Sequence, residues 1–144
     1  MNPERVRLRG LTFVAVRPAR LAGYALRFNK VSRAHAGTGH ANIEQQPSAT
    51  VEGVLYELAD CRQILLMDPY ERVPVNYSRV LMEVTTGADE CVSAWTYVAN
   101  RTARRDGLLP EAAYMAHLLC GEPWLTPAYH ARLRAWPVAD QPQG

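Results

Sequence analysis

Alternation of apolar and polar side chains is the clearest signal along this chain. From Tyr24 onwards, one side carries Tyr24, Leu26 and Phe28 and the other carries Ala, Arg and Asn, which is typical of a strand with one buried face. Two later apolar-rich runs are separated by Gly-Ala-Asp-Glu, which predicts a hairpin. Strands are predicted at residues 11–16, 24–30, 51–58, 77–86 and 91–99, with Pro18 interrupting the chain between the first two.

Helix-start signals occur four times. Asn2 followed by Pro3, and Thr126 followed by Pro127, each combine a capping side chain with a proline at the first helical position. Short helices are predicted from Pro3 to near Gly10, Asp60 to Leu66, Pro110 to Leu119, and Pro127 to near Trp136. Residues 32–50 and 100–109 show no sustained period and are predicted to be loops.

Strands joined mostly by loops, with small helices beside them, predict an α+β fold. The expected architecture is a small mixed β-barrel or curled sheet flanked by short helices. We expect residues 1–140 to form a single domain and residues 141–144 to be a disordered tail.

Composition narrows the functional classes. The 144 residues carry a net charge of +2, too small to argue for nucleic acid, and no apolar run approaches the roughly 18 residues of a membrane span. The N-terminus lacks the apolar segment of a signal peptide, and three widely spaced cysteines fit a reducing compartment. We therefore expect a cytoplasmic protein without nucleic-acid or membrane partners.

Glu71 is the main candidate for chemistry. It lies between Pro69 and Pro74, shortly after an apolar run, and is either a positioned general base or a solvated carboxylate paired with Arg72 or Arg79. Tyr77 and Tyr97 also have two interpretations: strand aromatics that fill a core, or pocket residues.

Two other groups of polar residues carry weaker signals. His35 and His40 have no Cys or carboxylate partners at metal-ligand spacing, so no metal site is expected. A basic stretch is interpreted as a solvated face rather than a nucleic-acid surface: Arg17, Arg20, Arg27, Lys30 and Arg33.

Five segments in order resemble the gamma-glutamylcyclotransferase family. They are Gly23–Phe28, Val51–Leu58, Met67-Asp68-x-x-Glu71, Tyr77-x-Arg79 and Ala94–Ala99. The resemblance implies a small β-barrel-like fold and an enzyme that converts a γ-glutamyl amide into 5-oxoproline and a free amine or amino acid, without cofactor or metal. It places the catalytic glutamate at Glu71 and aromatic pocket positions at Tyr77 and Tyr97.

The chain departs from the family pattern at its start. Family members begin with a strand and a Tyr-Gly-Ser-Asn-Met loop whose backbone N–H groups hold the substrate, and Met1 and Asn2 resemble the end of that loop. We therefore expect Met1 and Asn2 to contact substrate, and the first strand and most of the loop to be missing. The alternative function is a non-catalytic or repurposed binding protein on the same fold, whose exposed strand edge could pair with a second copy in a homodimer.

Overall fold

Four strands form one curled sheet in the computed structural model, which describes residues 1–139. They are β1 (Phe13–Val31), β2 (Gly39–Leu58), β3 (Tyr77–Thr86) and β4 (Cys91–Ala99), in the spatial order β2-β1-β3-β4. All pairs of these strands are antiparallel, and parallel pairing is confined in the described residues to isolated bridges. The predicted α+β class with a curled sheet is confirmed.

The sheet consists of two hairpins that meet at two places. At the first place, β1 pairs with β3: Ala19 lies opposite Thr86, and Arg20 lies opposite Thr85. At the other end, the Tyr77 hydroxyl donates to the Ala41 carbonyl at 2.8 Å. Nearby, the Ala99 N–H of β4 donates to the Asn42 side chain of β2, also at 2.8 Å. These contacts curl the sheet so that β3 and β4 approach β2.

Strand β1 is continuous where the sequence predicts an interruption. Pro18 pairs with Val54 inside the ladder, and its carbonyl accepts from the Gly87 N–H at 3.2 Å. A proline fits a strand position whose own N–H is not needed. The register of β1 with β2 shifts at three other places, within residues 13–15, 22–24 and 27–30. The middle shift coincides with Gly23, whose φ is +79°, so the strand bends there without ending.

The predicted loop at residues 32–50 is wrong over most of its length. Strand β2 begins at Gly39, so the connection from β1 is short. Residues 39–45 have weak strand propensity, but they pair with the second half of β1. Gly39 is required there because a Cβ atom would lie 2.2 Å from the Phe28 carbonyl oxygen. Pairing with a neighbouring strand overrides local propensity in this segment.

Four helices flank the sheet, as predicted: α1 (Pro3–Leu8), α2 (Ile64–Glu71), α3 (Ala112–Leu119) and α4 (Pro127–Arg134). The expected caps form, since the Asn2 side chain accepts from the Glu4 N–H at 3.0 Å and the Thr126 side chain accepts from the Tyr129 N–H at 3.3 Å. Helix α2 differs from its prediction because it continues past Leu66.

Helix α2 ends at Glu71, with Pro69 inside it. Arg72 adopts a left-handed conformation, with φ of 53°, and its N–H bonds to the Pro69 carbonyl. This left-handed turn ends the helix, so that Glu71 is its last residue.

Within residues 1–139, no helix is long and apolar enough to cross a membrane. The predicted tail at 141–144 lies outside the described residues.

Two apolar clusters hold these elements together. One lies within the sheet and contains Ala19, Leu21, Ile43 and Val84. The other packs α4 against the sheet and the chain start, and contains Leu125, Tyr129 and Leu133 together with Met1, Leu26 and Leu119.

Replacing Tyr56 by Phe is expected to stabilise the protein. The Tyr56 hydroxyl is buried with no hydrogen-bond partner among the described residues, and burial raises its pKa to about 12. Removing an unsatisfied buried hydroxyl should add about 1 kcal/mol to the free energy of unfolding at neutral pH. Urea denaturation measures this change, with the exposed Tyr70→Phe as control.

The same variant should change the response to alkali. Burial disfavours the Tyr56 phenolate, so the folded chain keeps the phenol proton to a higher pH than the unfolded chain does. The parent protein therefore loses stability as pH rises from the usual 10 towards 12. Tyr56→Phe should therefore lose less stability than the parent protein across this interval. Lower stability of the variant at neutral pH would contradict the assignment.

Candidate functional site

A cavity of about 790 Å³ opens between the curled sheet and three helices, α1, α2 and α3. Its volume lies within the range of about 300–1,000 Å³ typical of small-molecule sites. Apolar residues from β2 and α2 form much of its wall, and polar side chains enter from α1, β1 and the end of α2.

Glu71 enters this cavity from the last position of α2. Its side chain is 22% exposed, and its Oε1 accepts a hydrogen bond from Arg9 Nη1 at 3.0 Å. Arg9 follows α1, and its guanidinium also lies 5.0 Å from the centre of the Tyr70 ring. Neither of the partners suggested by sequence, Arg72 and Arg79, forms an ion pair with Glu71. The carboxylate is therefore oriented by a cation from the residue that follows α1.

Tyr77 and Tyr114 form a rigid wall near Glu71. Both hydroxyls bond to the backbone of one residue of β2, because Tyr77 donates to the Ala41 carbonyl at 2.8 Å and the Ala41 N–H donates to Tyr114 at 3.0 Å. Burial, followed by the neighbouring Tyr114 and Glu71, raises the pKa of Tyr77. Burial likewise raises the pKa of Tyr114. Both phenols are therefore neutral and fixed in place.

Tyr97 borders the same cavity, but its hydroxyl is already engaged. It donates to Asp68 Oδ1 of α2 at 2.7 Å, and this carboxylate also lies 3.4 Å from Arg79 Nε. Burial and the bond to Asp68 raise the pKa of Tyr97. Tyr97 therefore links β4 to α2 through its hydroxyl. Its ring, rather than its hydroxyl, is available to contact a ligand in the cavity.

Met1 and Asn2 line the same cavity, and Asn2 lies beside α3. Asn2 caps α1, and its Nδ2 lies 3.2 Å from His117 Nδ1. The Met1 side chain packs on the cluster around Leu125 and also touches Gly121, where an added Cβ would lie 3.1 Å from it. The structure thus brings all five predicted site residues to one cavity: Glu71, Tyr77, Tyr97, Met1 and Asn2.

Sequence reasoning missed Arg9, Tyr114 and Lys30 as cavity residues. Arg9 is 62 positions from Glu71, so no local pattern could indicate the contact. Lys30 had no reliable local signal, because the strand register shifts between Arg27 and Lys30 and the neighbouring Asn29 is buried as well. Lys30 is 6% exposed, so its assignment to a solvated basic face is wrong.

The arginines of that basic stretch behave as expected of an exposed face. Arg17 pairs with Glu57 at 2.7 Å, and Arg20 pairs with Asp89 at 2.8 Å, both at exposed positions.

The two histidines of the 32–50 segment have other partners. His35 lies 2.7 Å from Glu111, and His40 packs on the Tyr114 ring with centroids 4.7 Å apart. Across residues 1–139, no group of three His, Cys, Asp or Glu side chains is arranged to hold a metal ion.

Solved structures with the same fold include a gamma-glutamyl cyclotransferase, with a TM-score of 0.82 and 23% identity over 99% of this chain and 85% of that one. An uncharacterized protein from Homo sapiens gives 0.81 at 23% identity, over 98% and 85% of the two chains. YkqA from Bacillus subtilis gives 0.77 at 19% identity, over 94% and 50%. At these identities the likeness concerns the fold alone.

Sequence comparison identifies the family. No curated protein matches the sequence significantly. The model of the family described as "Gamma-glutamyl cyclotransferase, AIG2-like" matches residues 1–116 of the 144. The resemblance seen in the five sequence segments is therefore confirmed, and the chain belongs to the gamma-glutamyl cyclotransferase, AIG2-like family.

Proposed function

We propose that this protein catalyses the cyclisation of a γ-glutamyl amide to 5-oxoproline, with release of the amine. Glu71 is the proposed general base and acid. The observation that carries the proposal is the placement of this carboxylate, which is held at 3.0 Å by Arg9 and borders a cavity large enough for such a substrate. Membership of the family supports the reaction type.

The proposed reaction begins at the α-amine of the substrate. At neutral pH this amine is mostly an ammonium group, and Glu71 removes its proton. The freed lone pair attacks the γ-carbonyl carbon, a new C–N bond closes the five-membered ring, and the carbonyl π electrons move to oxygen. When the tetrahedral intermediate collapses, the original amide C–N bond breaks. The protonated Glu71 returns the proton to the leaving nitrogen. The ring nitrogen still carries one surplus proton, which the regenerated Glu71 carboxylate takes and passes to the released amine, so that the products are the neutral lactam and an ammonium ion.

The hydrogen bonding of Glu71 suits this exchange. Arg9 contacts Oε1, whereas Oε2 has no hydrogen-bond partner among residues 1–139. One oxygen is therefore used to orient the carboxylate, and the other is open to a substrate proton. Since proton transfer requires heavy atoms within about 3 Å, an oriented carboxylate is more effective than a mobile one.

The aromatic wall would confine the substrate. Because Tyr77 and Tyr114 are each fixed by a hydrogen bond with the Ala41 backbone, their rings can hold the γ-glutamyl chain in a bent conformation without themselves having to become ordered. A bent chain brings the α-amine towards the γ-carbonyl, which is the geometry that ring closure requires.

A substrate panel tests the proposed function. The natural protein is incubated with γ-glutamyl amino acids and γ-glutamyl amines, and 5-oxoproline and the free amine are quantified together. We expect equal amounts of both products from at least one class of substrate. If no member of the panel is cleaved by folded protein, the enzymatic proposal fails. Binding of panel members without cleavage would then favour the non-catalytic binding role.

A further inference from the structure

Lys30 is a largely buried residue whose cation borders the cavity. It is the only lysine of the chain, lies near the end of β1 and is 6% exposed. Its ammonium group lies 5.8 Å from the centre of the Tyr77 ring, and it borders the same cavity as Glu71. Within residues 1–139 this ammonium group forms neither a hydrogen bond nor an ion pair.

The cavity as a whole has an excess of positive charge. Among the described residues that line it, one is acidic, Glu71, and five are basic: Arg5, Arg9, Lys30, Arg33 and Arg72. Glu71 is already paired with Arg9. The remaining cations therefore have no further carboxylate from residues 1–139 to neutralise them inside the cavity, which favours an anionic ligand.

Lys30 is the least exposed of these five cationic residues. Arg33 and Arg72 are exposed, so water solvates their charges. Lys30 has lost most of its contact with water, and burial lowers its pKa, as do the nearby arginines, whereas Glu71 acts in the opposite direction. A buried charge without a counter-ion is unfavourable, and a bound anion would compensate for it.

We propose that Lys30 is a ligand-binding residue that holds a carboxylate group of the substrate inside this cavity. The choice of ligands rests on the proposed function, because γ-glutamyl amides carry an α-carboxylate. A second carboxylate is present when the amine half is an amino acid. Each of these two carboxylates can accept a hydrogen bond from an ammonium group. Separate binding measurements therefore have to show which of the two Lys30 holds.

Two pairs of ligands separate the sources, with affinity measured by titration calorimetry. In the first, 5-oxoproline is compared with 2-pyrrolidinone, which lacks only the carboxylate of the γ-glutamyl half. In the second, γ-glutamylglycine is compared with γ-glutamylmethylamide, which lacks only the carboxylate of the amine half. The second pair is measured with Glu71→Gln protein so that neither ligand is consumed.

Each comparison is repeated with Lys30→Met and Lys30→Gln, with Lys30→Arg as the charge-conserving variant and the exposed Arg134→Met as control. We expect the preference for the carboxylate-bearing ligand to fall about ten- to a hundredfold in the neutral variants for one of the pairs, as for loss of a charged hydrogen bond. Lys30→Arg should keep part of the preference, and Arg134→Met should keep all of it.

The inference is overturned if the neutral variants keep the preference in both pairs, or if the parent protein shows no preference in either. Two neutral variants guard against a folding defect in one of them. The melting temperature should not fall, because each removes a buried charge. Binding does not require turnover, so a protein that recognises carboxylates through Lys30 but releases no 5-oxoproline would refute the proposed function and leave this inference standing.

Discussion

Glu71→Gln is expected to lower the rate of 5-oxoproline release by about 10²–10⁴-fold, the usual contribution of general acid–base catalysis. Glutamine has nearly the same shape, and its amide oxygen can still accept the hydrogen bond from Arg9. It cannot take a proton from the substrate amine, so the chemical step is lost while the cavity is preserved. The loss should therefore appear in kcat, with KM changed little.

Glu122→Gln is the matched control for this prediction. Its side chain is 73% exposed, and its position in the turn before α4 is remote from Glu71 in sequence and outside the cavity lining. Its kcat should equal that of the parent protein. A loss of less than tenfold in Glu71→Gln, measured by initial rates on the best substrate, would show that another group moves the proton.

Gly39→Ala is expected to destabilise the protein by about 3 kcal/mol, at the upper end of the cost of overpacking a filled interior. The added Cβ would lie 2.2 Å from the Phe28 carbonyl oxygen and 2.9 Å from Leu108 Cβ. The oxygen belongs to the backbone of β1, so it cannot be relieved by a rotamer change. Strand β2 would have to move away from β1 at the point where the two begin to pair.

Gly53→Ala provides a control in the same strand. No atom lies within 4 Å of the added Cβ, and the backbone of Gly53 does not need a positive φ. Alanine also reduces the freedom of the unfolded chain, so this variant should be unchanged or more stable by roughly 0.5–1 kcal/mol. Urea denaturation of both variants measures the difference. Equal stabilities would contradict the packing described at Gly39.

The sequence predicts the second hairpin better than the first. The bounds of β3 and β4 follow directly from two apolar-rich runs on either side of a four-residue turn. The start of β2 could not be read in this way, because Gly39, His40 and Ala41 have weak strand propensity. Their conformation is imposed by β1, which is a non-local contact.

The candidate site was predictable only in part, for the same reason. The family resemblance located Glu71, whereas periodicity alone left it as either a base or a solvated residue. The ion pair with Arg9 depends on how α1 packs against α2, and no pattern within either segment encodes it. The burial of Lys30 could not be predicted from alternation either, because the strand register shifts between Arg27 and Lys30 and places Phe28, Asn29 and Lys30 all in buried positions.

The closure of the curled sheet has a consequence for binding entropy. The two hairpins are tied at one end by Ala19–Thr86 pairing, and at the other by Tyr77 with Ala41 and Ala99 with Asn42. Walls held at both ends are already preorganised before a ligand arrives. Binding of a ligand therefore causes little loss of conformational entropy in the protein. A larger share of the free energy of the contacts then contributes to the binding affinity.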